Sequence, residues 1–245
     1  MDLCGININC YTFDDLIKIK DCSILVTVNA EAIVRAQHEE NLLNIINRNL
    51  SSIDGQIPLW LYKNLYPKGR ITKLSGSDLI YSLSEHASKN GFRVFLLGGK
   101  EESNSSAVLN LQKSYPSLII DGYSPPYSTY PFNEQIQDSI ISRIKIFKPH
   151  YLFVGFGMGK QEYWEADNFN LLKQIDVKLI IGCGGSFDFA GGKIKRAPMQ
   201  IQKIGFEGIW RLFQEFKWFR IKRIFLSLKI FPIFLKYHKL RNFTI

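Results

Sequence analysis

Three short stretches of this 245-residue chain carry side chains suited to acid–base or phosphate chemistry beside glycine: Asp54-Gly55, Lys160-Gln161-Glu162, and Ser186-Phe187-Asp188-Phe189 with Arg196 downstream. A loop carboxylate such as Asp54 can serve as a general base, although the commoner use of Asp-Gly is a turn. Gln161 can hydrogen-bond hydroxyls or an amide. Glu162, at an expected helix start, either faces a ligand or answers the helix macrodipole. Asp188 and Arg196 either meet a ligand or form a structural ion pair. The chain contains no Asp-x-Asp triplet. A bound diphosphate would therefore be neutralised by Lys and Arg rather than through a carboxylate-held metal.

These residues need a scaffold, and the apolar runs supply one. Residues 23–28, 93–97, 151–155 and 178–182 read as continuous apolar strands, with helix-like segments over 31–49 and from Gly99 to Tyr115. Buried strands alternating with helices indicate a parallel sheet covered on both faces, an α/β, Rossmann-like core flanked by helices. The strands end at Asn29-Ala30, Gly98-Gly99, Gly155-Phe156-Gly157 and Gly182-Cys183-Gly184-Gly185. Open α/β sheets bind ligands at the carboxyl ends of their strands, so these loops are expected to converge on one crevice. The run Gly155 to Lys160 only superficially resembles a phosphate loop, because Val154 and Gln161 stand where that motif needs Gly and Ser or Thr.

Charge is concentrated at one end. Of the formal net charge of +9, residues 200–245 contribute +8, interleaved with Phe, Trp, Leu and Ile. The organisation read from this is a near-neutral core over 1–199 and a basic amphipathic helical appendage over 200–245. Such a segment suits an anionic membrane interface, a helix packed on its own core being the plain alternative. Its apolar run from Ile224 to Leu235 contains Lys229 and Pro232 and is too short to span a bilayer. Cys4, Cys10, Cys22 and Cys183 form no metal-type spacing and read as free thiols of a reducing compartment. The N-terminus has no basic and apolar leader, and a cytoplasmic location is expected.

Taken in order, the motifs resemble the WecG/TagA/CpsF glycosyltransferases, glycosyltransferase family 26. They are Thr27-Val28-Asn29-Ala30-Glu31, Asp54-Gly55, Ser75-Gly76-Ser77-Asp78-Leu79, Phe95 to Gly99, Val154 to Gly157 with Lys160-Gln161-Glu162, Gly182 to Phe189 with Gly191, Arg196-Ala197-Pro198, and Gly205-Phe206-Glu207 with Arg211-Leu212. The resemblance covers about residues 3–225. It implies an inverting, metal-independent transfer from a UDP-sugar of ManNAc, ManNAc uronate, glucose or glucuronate type. The acceptor it implies is a polyprenyl-diphosphate-linked saccharide at the inner face of the cytoplasmic membrane, in the synthesis of teichoic acid, capsule or exopolysaccharide. It implies Asp54 as base with Thr27 and Asn29 in the same pocket. Donor binding would fall to Gly98, Gly99, Gly157, Gln161, Glu162, Gly184, Asp188, Arg196 and the tail arginines Arg211, Arg220 and Arg223, with Lys73 on the acceptor side. No cofactor and no metal are implied. Lys73 stands where the family usually has Arg, Gly159 where it has Pro, Gly208 where it has Trp, and Glu215-Phe216 where it has Glu-Pro.

Two other classes compete. A nucleic-acid-binding α/β protein would use the basic tail, but the tail is too apolar for that and carries no nucleic-acid motif; no nucleic-acid partner is expected. A non-catalytic scaffold of a polysaccharide-assembly complex would keep the fold without turnover. The tail's apolar face also suits a partner subunit, leaving room for a homo-oligomer.

Overall fold

The computed structural model describes residues 1–9, 11–204, 207–214 and 216–243. Cys10, Gly205, Phe206 and Glu215, named above, lie outside the described residues. The chain opens with β1 (Asp2–Leu3), β2 (Ile6–Asn7), α1 (Phe13–Ile17), β3 (Ser23–Val28), α2 (Ala30–Ala36), α3 (Glu40–Arg48) and β4 (Leu50–Ile53). It continues through α4 (Gln56–Leu65), α5 (Gly76–Asn90), β5 (Arg93–Gly98), α6 (Glu101–Ser114), β6 (Ile119–Tyr123) and α7 (Glu134–Phe147). Then come β7 (Tyr151–Gly155), α8 (Lys160–Gln174), β8 (Leu179–Gly182), α9 (Ser186–Ala190) and α10 (Met199–Lys203). The tail is completed by α11 (Glu207–Gln214), α12 (Trp218–Leu228) and α13 (Ile230–Phe243).

β1 and β2 form a small antiparallel ribbon, and the other six strands form one parallel sheet in the order β4-β3-β8-β7-β5-β6. The expected α/β architecture with C-terminal helices is therefore present. Strand side chains alternate between two faces, and both are covered. Ile24, Val26, Val28, Phe95, Leu97 and Val154 pack with residues of α2, α3, α4, α7 and α8. Leu25, Val94, Leu96, Phe153 and Ile181 pack with residues of α1, α5, α6 and α9. Burial on both faces explains why these strands read as unbroken apolar runs.

Four elements differ from the sequence reading. The helix expected over 31–49 is two helices, because Gln37 turns its amide to the carbonyls of Cys4 and Ile33 and Glu39 leaves helical geometry before α3 starts. β4 was not expected: its centre is Ser51-Ser52, whose hydroxyls are buried against the Asn7 and Leu74 carbonyls. Asp54 thus directly follows a strand. β6 is an edge strand of mixed exposure. The stretch around Asp188 forms the short helix α9, which the apolar pattern had not marked.

The tail is fastened at its far end. Ile230 is fully buried, and Ile233, Phe234 and Tyr237 pack against the core on the side of α2 and the β1–β2 ribbon. The Tyr237 hydroxyl fills the place where Gly5 has no side chain. α11 buries no residue completely, and on α12 Arg220 is buried. Ile230→Ala is expected to destabilise the chain by about 2–5 kcal/mol, the usual range for emptying a filled core site, and to expose the tail to limited proteolysis. A melting temperature and cleavage pattern unchanged from the wild type would show that α13 does not dock this way.

Candidate active site

A cavity of about 300 Å³ opens at the carboxyl ends of β3 and β4 and is closed on its outer side by α11 and α12. Its wall includes Asn29, Glu31, Asp54, Lys73, Glu207, Arg211, Arg220 and Arg223. Six of the residues singled out above (Asn29, Asp54, Lys73, Arg211, Arg220 and Arg223) meet here although they come from four separate parts of the chain. Asn29 caps α2, its Oδ1 accepting the Ala32 N–H at 2.9 Å. Asp54 is placed by its own N–H bonded to the Val28 carbonyl at 2.9 Å. Gly55 next to it takes φ +95, a left-handed angle that glycine adopts without strain. Asp54-Gly55 is therefore both the strand-to-helix turn and a cavity wall. Leu74 pairs with the end of β4 through its N–H to Ile53 and its carbonyl to Ser52 Oγ, which carries Lys73 to the same wall.

The electrostatics of the cavity are those of an acid held beside a cation cluster. Burial pushes the Asp54 carboxyl up to about 6. Lys73 and Arg211 oppose the rise, and Glu207 and Asp78 reinforce it. Arg211 is lowered to about 10 by burial, with Glu207 opposing and the neighbouring charges of Arg220 and Arg223 adding to the effect. Its guanidinium lies 3.8 Å from the centroid of Phe189, its Nη2 is 3.4 Å from the Gly185 carbonyl, and its Nε is enclosed without a hydrogen bond among the described residues. Arg223 Nε donates to Glu31 Oε2 at 2.6 Å. Among the described residues no group of three His, Cys, Asp or Glu is placed to hold a metal ion.

Beyond the cavity, the remaining predicted residues build the floor of the strand ends. Thr27 is buried and its Oγ1 donates to the Gly182 carbonyl at 2.7 Å. Gln161 is buried as well: its Oε1 accepts the N–H groups of Gly157 and Gly184, both at 3.2 Å, and its Nε2 donates to Glu162 Oε1 at 2.8 Å. Glu162 accepts the Gly159 N–H at 2.5 Å, and burial lifts its carboxyl to about 7 despite those hydrogen bonds and Arg35. Gly159 has φ +88, and the Arg35 guanidinium occupies the place of its absent Cβ. A proline there would need φ near −65°, so the departure from the family pattern at Gly159 has a local cause. Gly98 pairs with Gly155 across β5 and β7, while the Phe187 ring lies against Gly99 and Gly155. The four strand-end loops thus lie at one edge of the sheet, but the glycine loops pack on Phe187 and Gln161 and do not line the cavity. Asp188 accepts from Ser103 Oγ at 2.7 Å, and Arg196 meets Asp78 at 2.6 Å and Glu207 at 3.6 Å, so the ion pair considered between Asp188 and Arg196 gives way to these partners.

Sequence reasoning gave Glu31, Glu207 and Phe189 no role, yet they surround the tail arginines. The available signal was on α12, where Arg220, Arg223, Ile224, Ser227 and Leu228 recur at helical spacing and form one face, the face that lines the cavity.

Comparison with known proteins shows which family the chain resembles. Two relatives, both named N-acetylglucosaminyldiphosphoundecaprenol N-acetyl-beta-D-mannosaminyltransferase, come from Staphylococcus aureus strains MRSA252 and MW2. Each is 29% identical over 211 residues, covering 86% of this chain and 77% of the relative. The model of the glycosyl transferase WecG/TagA/CpsF family matches residues 1–243, and with the whole site inside that match the chain belongs to this family of glycosyltransferases.

Proposed function

We propose that this enzyme moves a sugar, of ManNAc, ManNAc uronate or glucose/glucuronate type, from a UDP-sugar to a polyprenyl-diphosphate-linked saccharide, with inversion and without a metal. The observation that carries the reading is the meeting of Asp54 with Lys73, Arg211, Arg220 and Arg223 around one cavity. The relatives' printed names, which specify a diphosphoundecaprenol-linked sugar acceptor, support the acceptor class.

In the proposed reaction the acceptor hydroxyl oxygen attacks the anomeric carbon of the donor. Its proton passes to Asp54, and the bond from the anomeric carbon to the diphosphate oxygen breaks with its electron pair leaving on UDP. A single displacement of this kind inverts the anomeric centre. The base must be ionised to work, and the departing diphosphate must be met by fixed positive charge. Arg211 touches both the cavity and Gly185, and Gly184 and Gly157 have open space beside them, so a donor can run from the cavity over Gly184 towards the Gly157 loop and Asp188, while Gly98 and Gly99 stay covered by Phe156 and Phe187. Gln161 and Glu162 serve that path by tying the loop amides, Thr27 by fixing Gly182, and Arg196 by holding Asp78 against Glu207.

The tail would bring the enzyme to its lipid substrate at the inner face of the cytoplasmic membrane. Phe213, Phe216, Trp218 and Phe225 are exposed beside Lys222 and Lys229, a composition suited to an anionic interface. No helix among the described residues is long and apolar enough to cross a membrane.

Two measurements test the reading. UDP release from a panel of UDP-sugars in EDTA should require a polyprenyl-diphosphate-GlcNAc acceptor; release that needs added divalent metal would contradict metal independence. The second is the pH profile. Asp54 is idle when protonated, so kcat/KM should fall as pH drops through about 6 and level off above it. A flat profile from pH 5 to 8 would remove Asp54 as the base.

A further inference from the structure

The cavity face of α12 changes character along the helix. Its first part presents Arg220 and Arg223, whereas its last part presents Ile224, Ser227 and Leu228. Ile57 and Pro58 at the start of α4 line the same cavity as this aliphatic end. The aliphatic line does not stop at the cavity mouth. Lys229 keeps right-handed helical angles between α12 and α13, and Phe231 and Leu235 continue the spacing set by Ile224 and Leu228. Leu228, Phe231 and Leu235 are partly or largely exposed, although Ile230 beside them is fully buried. The result is one polar-to-apolar track, with cations and Asp54 inside and hydrocarbon side chains leading out.

We propose that this track seats the isoprenoid chain of the acceptor, with the chain lying over Ile224 and Leu228 against Ile57 and Pro58 and leaving across Phe231 and Leu235. The proposal rests on the acceptor class inferred above and adds where its lipid goes. Charge complementarity selects the occupant. A diphosphate with a hydrocarbon tail matches a face whose arginine end adjoins the base and whose aliphatic end opens outward, whereas a soluble sugar phosphate has no use for the aliphatic end. Arg223, held at 2.6 Å by Glu31 and next in sequence to Ile224, is placed for the acceptor's own diphosphate, while Arg211, which lines the cavity with Asp54 and reaches the Gly185 carbonyl, is placed for the departing one. Apolar burial is the driving force for the chain, so affinity should depend on chain length only where the track is intact.

The experiment uses the full chain in detergent micelles, with two GlcNAc-diphosphate acceptors, one on an undecaprenyl chain and one on a single isoprene unit. Ile224→Asn and Leu228→Gln are each expected to raise KM for the long-chain acceptor by about tenfold, while KM for the short-chain acceptor and for the UDP-sugar stay within about twofold. Phe225→Gln alters an exposed side chain that does not line the cavity. It should leave both acceptor KM values unchanged and weaken binding to anionic phospholipid vesicles. The proposal is overturned if the track variants change KM for both acceptors equally, if they lose only vesicle binding, or if their effect follows a change in oligomeric mass. A wild type that transfers to neither acceptor would overturn the underlying reading instead.

Discussion

Asp54→Asn is expected to lower kcat for sugar transfer by about 10²–10⁴-fold, the range over which a positioned general base acts, and to raise the melting temperature. The two effects have one cause. The Asp54 carboxyl is held at about 6 in the fold, against an ordinary value of 3.8, chiefly because the cavity wall takes it out of water. The folded chain therefore binds this proton more tightly than the unfolded chain. Stability contributed at Asp54 is present below about pH 4 and is lost as pH rises from about 4 to 6. At neutral pH the ionised form opposes folding by up to about 3 kcal/mol, taking two pKa units at about 1.4 kcal/mol each. Asparagine has the same shape and no charge to bury. A thermal melt at pH 7.5 and at pH 4 measures the gain, which should be present at the first and absent at the second. A variant that is both less active and less stable at pH 7.5 would mean that Asp54 is a structural turn residue whose loss damages the fold.

Arg211→Gln is expected to lower kcat by about 10²–10³-fold, as the removal of one preorganised charge at a leaving group does. The guanidinium is fixed by the Phe189 ring and the Gly185 carbonyl and sits among like charges, which together with burial pull it down to about 10. A cation in such company gains from an arriving anion. UDP should therefore raise the melting temperature of the wild type more than that of Arg211→Gln, because a ligand that binds only the folded state stabilises it by mass action. Arg211→Lys should fall between the two, keeping charge but losing the planar fork and the stacking surface. Equal UDP-induced shifts in all three proteins would place the departing diphosphate elsewhere.

How far the sequence could be read follows from the physics of each element. The sheet was legible because β3, β5, β7 and β8 are buried on both faces and so are apolar at nearly every position between their ends. β4 was hidden because buried serines satisfied by carbonyls look like a polar loop. The break between α2 and α3 was hidden because Gln37 acts through side-chain hydrogen bonds to the Cys4 and Ile33 carbonyls, the first of them far away in sequence. In the site, Asn29, Asp54 and Lys73 fall on one cavity wall because each follows or flanks a strand end. The motif around Gln161 and Glu162 was legible as polar residues after a glycine turn, but not its use: their hydrogen bonds go to Gly157, Gly159 and Gly184, which only the parallel pairing of β7 and β8 brings together. The position of the tail over the cavity depended on Ile230 and its neighbours docking α13 against the core, a long-range contact with no local signature.

The most direct measurement is the mass of the lipid product after incubating the full chain with a UDP-sugar and undecaprenyl-diphosphate-GlcNAc in EDTA, for the wild type and Asp54→Asn. The account requires one added sugar on the lipid with the wild type and essentially none with Asp54→Asn at equal folded concentration. An unmodified lipid with every UDP-sugar tried, or the same yield from both proteins, would contradict it.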